Sequence, residues 1–180
     1  ISILLAKSGL PQSEIGRYET FLFLSTIVTF FWANSIIQSL LANYDRSATG
    51  KNPVFFNAFF TLFLMGLSSS VFLWVYSNIS HEPMGDFIPQ LTVFIILNTP
   101  SFLIEYIYLL KEKPKHIILY GGITYIFQLI IVIAPVFMNM GIETAFLGLD
   151  ISAAVRIIWL LILLRKYSEF KLSTVHIKPL

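Results

Sequence analysis

Five stretches of the chain are apolar and long enough to cross a lipid bilayer, and this feature limits the fold more than any other. A helix that spans the hydrocarbon core needs about 20 mostly apolar residues. The stretches lie at 21–42, 53–76, 87–110, 117–138 and 142–164. Strands of a membrane barrel are about 10 residues long with alternating polarity, and these stretches do not fit that pattern. The sequence therefore predicts an all-α, polytopic transmembrane helix bundle whose short connections make neighbouring helices antiparallel.

The composition agrees with a membrane protein, since 56% of the residues are hydrophobic and 12% are charged. Soluble domains average about 25% charged residues. The net charge of +2 is too small to indicate a nucleic-acid partner. Cysteine is absent, which excludes disulfides, thiolate catalysis and cysteine metal sites. The chain starts at Ile1, and residues 1–6 are too few to span, so we expect them to be the end of a first helix that is otherwise missing.

Polar and proline residues predict where several helices begin, bend and end. Asn52 is expected to cap a helix that has a proline at its first position, and Asp86 can cap the third apolar stretch. Pro100 and Pro135 lie inside apolar stretches, where a proline removes a backbone hydrogen bond and can kink the helix. A tight turn is expected at 139–141.

The basic residues are divided unequally between the two sets of loops. One set, at 43–52, 111–116 and 165–180, carries nine, while the loops at 77–86 and 139–141 carry none. Two more basic residues precede the first apolar stretch, 21–42. Cytoplasmic loops of membrane proteins are enriched in Lys and Arg, so the loops with nine are predicted to be cytoplasmic. The nine are Arg46, Lys51, Lys111, Lys113, Lys115, Arg165, Lys166, Lys171 and Lys178, and the two are Lys7 and Arg17.

Four of the apolar stretches carry polar residues that share one face at helical spacing. Such a stripe either forms hydrogen bonds between helices in a dry bundle or lines a hydrated cavity, and both interpretations stay open. Polar residues in hydrocarbon are costly, so their direction is informative. The stripes are Asn34 with Gln38; Asn57 with Thr61 and Ser68; Asn98 with Ser101 and Glu105; and Gly121 with Thr124, Gln128 and Pro135. We take Asn34, Gln38, Asn57, Asn98 and Gln128 as candidate cavity residues.

The last stretch carries a basic residue, Arg156, well inside its apolar length. An uncompensated arginine there costs about 2.5–3.5 kcal/mol on insertion scales, so Arg156 should meet a carboxylate, water or an anionic ligand. The candidate carboxylate partners are Glu105 and Asp150. Asp150 points to the opposite side of the same helix, so it cannot pair with Arg156 within that helix. If Arg156 contacts a ligand, its rigid fork of donors suits phosphate. Glu105 is either an interfacial carboxylate or, with Asp150, an ion-coupling site.

The same helix has a face of small residues that allows close approach of a neighbouring helix. Its members are Gly141, Ala145, Gly148 and Ser152.

Signatures of catalysis are absent from the sequence. His81, His116 and His176 stand in three separate loops, and no nucleophile elbow, phosphate loop or paired-carboxylate motif is present. We therefore expect neither an enzyme nor a cofactor.

The N-terminal run at 5–41 resembles the polysaccharide and O-antigen flippases of the multidrug/oligosaccharidyl-lipid/polysaccharide exporter superfamily. The likeness is carried by a Leu-Ala pair, a short loop with an acidic residue, and a Gly-x-Tyr that opens the second helix. Two later stretches, 98–113 and 140–167, also look like this family. The matching residues of the run are Leu5, Ala6, Glu14, Ile15, Gly16 and Tyr18, and Ser35 stands where many relatives have glycine.

The resemblance implies one lobe of a two-lobe transporter, with 1–165 as the N-terminal transmembrane lobe and 166–180 as a cytoplasmic tail or the start of an inter-lobe linker. Its partners would be the second lobe, membrane lipids and the cargo. The cargo implied is a lipid-linked oligosaccharide on undecaprenyl pyrophosphate, moved across the bacterial inner membrane by alternating access. In the family, basic cavity residues hold the pyrophosphate, and Arg156 is the intramembrane candidate in this chain.

Two other functions remain as alternatives. A drug/cation antiporter of the same superfamily would have an acidic cavity in which Asp150 and Glu105 dominate. A membrane-embedded polysaccharide polymerase or acyltransferase would need catalytic residues in a long outer loop, and the outer loops here are short and carry only His81.

Overall fold

The computed structural model describes residues 1–44, 52–79 and 87–169, and every regular element in these ranges is an α-helix. Asp86, Arg46, Lys51, Lys171, Lys178, His81 and His176 lie outside the described residues. The helices are α1 Ser2–Ala6, α2 Gln12–Asn43, α3 Pro53–Ile79, α4 Ile88–Ser101, α5 Leu103–Leu110, α6 Pro114–Phe137 and α7 Glu143–Tyr167.

Five helical segments of the described chain have the length and hydropathy of membrane spans, which confirms the predicted all-α transmembrane bundle. They are Gln12–Asn43, Pro53–Ile79, Ile88–Leu110, Pro114–Phe137 and Glu143–Tyr167. Helix α2 begins earlier than its apolar stretch and reaches 32 residues. Large apolar side chains such as Phe31, Phe72, Ile126 and Ile162 are exposed on the outside of the bundle, as expected for a surface that faces lipid.

The third span is interrupted just after Pro100. Helix α4 ends at Ser101 and α5 begins at Leu103. Proline has no backbone N–H, so it cannot bond the carbonyl one turn earlier and the regular ladder is weakened at this point. Pro135 lies close to the end of α6 at Phe137 and interrupts nothing.

The helix starts and turns follow the polar residues. Asn52 caps α3, since its side-chain oxygen accepts the Val54 N–H at 3.0 Å and Pro53 is the first helical residue. Between α6 and α7 the chain turns through two residues with positive φ, Asn139 at 59° and Gly141 at 79°. Both predictions are confirmed.

The span formed by α4 and α5 lies at the centre of the bundle. Helix α4 packs chiefly against α3 and α7, α6 packs on α7, and α2 packs on α3. The small-residue face of α7 meets α6 closely, and a Cβ added at Gly148 would lie 2.8 Å from the Ile131 carbonyl oxygen. Ala145 and Ser152 on the same face are buried.

The two ends of the bundle differ in charge. At the end where α2 and α7 begin, called here the Arg17 end, Arg17 pairs with Glu143 at 2.9 Å. The opposite end, where α5 and α7 finish and α3 and α6 begin, is called the lysine end. There Lys113 donates a hydrogen bond to the Tyr167 hydroxyl at 2.9 Å, and Asn52 joins α3 to Tyr167 and Ser168 through backbone and side-chain hydrogen bonds.

Candidate functional site

Two separate apolar clusters fill the bundle, one near each end. The cluster at the Arg17 end includes Phe21, Phe146 and Val132, with the rings of Phe21 and Phe146 stacked at 4.9 Å. The cluster at the lysine end includes Phe55 and Leu103. Between them lies a set of polar side chains from three helices, called here the polar layer. Its members are Asn98, Gln128, Ser152 and Arg156.

Arg156 is the centre of the polar layer. It lies about 20 Å along α7 from Glu143 and about 16 Å from Tyr167, at 1.5 Å per residue, so it is near the middle of the span. Its Nη1 donates to Asn98 Oδ1 at 3.2 Å. Its Nη2 donates to Gln128 Oε1 and to Ser152 Oγ at 3.4 Å. Three helices therefore position this one guanidinium.

The positions of the polar-layer residues in the sequence, and the packing of their helices, explain why their side chains meet. Ser152 and Arg156 are four residues apart, so they share a face of α7. Asn98 is brought in by α4 and Gln128 by α6, the two main neighbours of α7. The Ser101 hydroxyl donates to the Asn98 backbone carbonyl at 2.6 Å and lies 3.4 Å from Asn98 Oδ1.

Arg156 forms no ion pair within 4.0 Å among the residues that the structure describes, where the recorded ion pair is that of Arg17 with Glu143. The alternative in which Arg156 pairs with Asp150 or Glu105 is therefore wrong. Glu105 lies within electrostatic range of Arg156, and its side chain is exposed. Asp150 has a buried side-chain oxygen, Oδ1, with no hydrogen-bond partner in the described chain.

A groove of about 330 Å³ runs beside the polar layer between α2 and the α4–α5 span. Its polar lining comes from Ser25, Thr26, Thr29 and Asn34 on one side and from Asn98 on the other. Tyr106 and Phe102 complete the wall towards the lysine end. Asn98 thus belongs both to the groove and to the polar layer, and it links the groove to Arg156.

The remaining polar residues do not join this groove. Asn57 and Thr61 line a separate recess of about 110 Å³ between α2 and α3, and Ser68 lines an apolar groove of about 570 Å³ nearer the Arg17 end. Gln38 is exposed on α2. These residues therefore lie outside the groove beside the polar layer, whereas Asn98 and Gln128, which belong to two of the stripes, meet at Arg156.

Hydroxyl groups of the stripes and of the groove form hydrogen bonds within their own helix. Thr61 donates to the Asn57 carbonyl at 2.8 Å, Thr124 to the Tyr120 carbonyl at 2.7 Å and Thr29 to the Ser25 carbonyl at 2.7 Å. Such bonds to the preceding turn are common for Ser and Thr. The amide oxygens of Asn98 and Gln128, by contrast, accept hydrogen bonds from Arg156 on another helix.

Sequence reasoning placed Ser152 on the small-residue face and missed its bond to Arg156. The four-residue separation was the available signal. It also missed Ser25, Thr29 and Tyr106 as groove residues, because hydroxyl and aromatic residues are frequent on any apolar helix.

The arrangement has the charge and the hydrogen-bond donors to bind an anion. The guanidinium makes three hydrogen bonds to neutral groups, so its positive charge is not cancelled by them. No group of three His, Cys, Asp or Glu residues in the described ranges is placed to hold a metal ion. Comparison of the chain with models of known protein families, with curated proteins and with solved structures finds no match.

Proposed function

We propose that the chain is one lobe of a flippase that moves a lipid-linked oligosaccharide across a membrane by alternating access. The observation that carries this proposal is Arg156, a guanidinium near mid-span whose recorded hydrogen-bond partners are the neutral Asn98, Gln128 and Ser152. A charge in that position is costly unless water or an anion meets it, and an anionic ligand is the partner we propose. No covalent bond is made or broken in flipping, so the proposal needs no catalytic residue and no cofactor.

A pyrophosphate is the anion that best suits this site. Arginine carries five N–H donors, and the bonds to Asn98, Gln128 and Ser152 use three of them. The remaining two, one of them the buried Nε–H with no recorded partner in the described chain, are left for phosphate oxygens. Three bonds to neutral oxygens hold the guanidinium in place without cancelling its charge. The ligand would approach along the groove between α2 and the α4–α5 span, since Asn98 belongs to both the groove and the polar layer.

The groove also suits the sugar part of such a cargo. Asn34 and Asn98 are neutral hydrogen-bonding groups on its two walls, and amides of this kind can bond sugar hydroxyls in either direction. Asn34 and Gln38 are exposed on α2, where a polar face is unsuited to lipid. In the proposed two-lobe transporter this face lies towards the second lobe, and the lipid tail stays in the hydrocarbon.

We further propose the bacterial inner membrane as the location, with the lysine end in the cytoplasm. The count of nine basic residues against two supports this orientation. Lys7 and Arg17, on the opposite side, are the two basic residues that argue for the reverse orientation, and nine outnumber them.

Replacement of Arg156 tests the proposal. In the two-lobe protein, we expect Arg156→Ala to lower surface polysaccharide at least about tenfold, a loss of roughly 1.4 kcal/mol in ligand interaction. Arg156→Lys should keep part of the output, because the charge remains but the fork is lost. The measurement is surface polysaccharide at matched expression. Arg17→Ala is the control, since an exposed ion pair contributes little and its output should stay at the wild-type level.

A second candidate, a drug/cation antiporter, is favoured by one observation. Asp150 Oδ1 is buried with no recorded partner, and such a carboxylate oxygen is a ligand for a cation. Adding the Asp150→Asn variant and a second assay, of cation-dependent drug transport, separates the two proposals. Wild-type output from Arg156→Ala would remove Arg156 from the mechanism. If Asp150→Asn instead abolished cation-dependent transport, the antiporter would be favoured.

A further inference from the structure

Three lysine side chains at the lysine end gather around one aromatic ring, that of Tyr167. The Nζ atoms of Lys111, Lys113 and Lys166 lie 5.8, 5.3 and 5.4 Å from its centroid. Since all three are within 5.8 Å of the same point, no two of them are separated by more than twice that distance. Lys113 also donates to the Tyr167 hydroxyl at 2.9 Å.

Lys111 is held on its other sides by two more rings. Its Nζ lies 5.7 Å from the centroid of Tyr44 and 5.7 Å from that of Phe55. These residues come from the end of α2 and the start of α3, so four segments of the bundle converge here. Aromatic faces attract ammonium groups, which explains why flexible lysines are fixed at this place.

The rings do not neutralise the three charges. Glu112 and Glu169 are the acidic residues adjacent to these lysines in the described sequence, and both are exposed. Neither makes an ion pair within 4.0 Å in the described part of the chain. The carbonyl ends of α5 and α7 offer partial negative charge, but three ammonium groups this close still repel one another. The cluster therefore carries positive charge that an anion can neutralise.

We propose that Lys111, Lys113, Lys166 and Tyr167 form a binding site for the phosphate of an anionic membrane lipid. The lysines and the phenol hydroxyl supply hydrogen-bond donors to phosphate oxygens. The source is a lipid rather than free phosphate because the site lies where α6 and α7 leave the apolar region, and these helices carry exposed Ile118 and Ile162 nearby. Basic clusters in this position attract anionic lipids. This inference does not depend on what the bundle transports.

The test compares two double variants that lose the same charge at the same end. Lys113→Gln with Lys166→Gln removes two groups of the site, whereas Lys115→Gln with Arg165→Gln removes two exposed charges with no recorded contact to Tyr167. Each full chain is purified in a neutral detergent, and its affinity for phosphatidylglycerol and phosphatidylcholine is measured by native mass spectrometry. We expect the first pair to bind phosphatidylglycerol at least about fivefold more weakly than the control pair, on the scale of one lysine near an anionic surface. Phosphatidylcholine binding should not change.

The charge-preserving variant Lys113→Arg with Lys166→Arg is the second test, for the case in which the glutamine pair folds poorly. It should retain phosphatidylglycerol within about twofold of the wild type, because two cations still face the ring. Equal losses in the two glutamine pairs would overturn the site, since binding would then follow total charge. Inorganic phosphate that competes as well as phosphatidylglycerol would overturn the assignment to a lipid.

Discussion

Arg156 is held by neutral side chains, and this choice of partners decides what the residue can do. Asn98, Gln128 and Ser152 orient the guanidinium but leave its charge free to attract an anion. A carboxylate in the place of one amide would satisfy the same hydrogen bond and cancel that charge. Replacing the amide nitrogen of one such side chain by oxygen would therefore keep the position of the guanidinium and remove its attraction for an anion.

We expect Gln128→Glu to abolish transport without destabilising the protein. The new carboxylate would pair with Arg156, and its attraction is nearly offset by the cost of removing it from water. In the proposed two-lobe transporter, surface polysaccharide should fall at least about tenfold, while the unfolding temperature in detergent stays within a few degrees of the wild type. Gln38→Glu, on the exposed face of α2, is the control. Normal transport by Gln128→Glu would mean that the charge of Arg156 is not used.

At the scale of helices, the close contact between α6 and α7 sets the position of the polar layer. Gly148 lies against Ile131 of α6, two turns before Arg156 on α7. The contact lets Gln128, one turn from Ile131, reach the guanidinium. The small-residue face was visible in the sequence because its spacing is regular. The helix that packs against this face could not be predicted, since any of the apolar helices could supply a surface for it.

Adding one methyl group at this contact should therefore weaken the bundle. A Cβ at Gly148 would lie 2.8 Å from the Ile131 carbonyl oxygen and 3.0 Å from its Cγ2, and a backbone atom cannot move aside cheaply. We expect Gly148→Ala to destabilise by about 1–3 kcal/mol, the usual range for overpacking, measured by thermal unfolding in detergent. Gly122→Ala on α6 has nothing within 4 Å of the added Cβ and should leave the unfolding temperature unchanged or higher. Equal stability of the two variants would contradict the close approach.

For the whole molecule, apolar length and charge predicted the bundle well, whereas the arrangement of polar residues was only partly predictable. The five spans, the Asn52 cap and the turn before Gly141 follow from local rules. Whether two polar stripes face each other depends on how the helices are rotated and which are neighbours. Asn98 and Gln128 face α7, while Asn57 faces a separate recess. Periodicity within one helix does not contain that information.

Orientation is the property of the whole molecule that the charges predict most directly. The chain has no cysteine, so a single introduced cysteine reports its own side of the membrane. Met140 is exposed at the Arg17 end and Glu169 is exposed at the lysine end. We expect Met140→Cys to react with an impermeant maleimide on intact cells, and Glu169→Cys to react only in inverted vesicles, because basic loops remain in the cytoplasm.

Neither substitution removes a positive charge, so the charge difference that drives the orientation is preserved in both variants. The wild-type chain, without a thiol, is the blank. Labelling of Glu169→Cys on intact cells with protection of Met140→Cys would reverse the orientation, and it would place the lysine cluster around Tyr167 at the outer surface. Labelling of both positions from one side would contradict the membrane crossing by α7, because Glu143–Tyr167 is the one described span between residues 140 and 169.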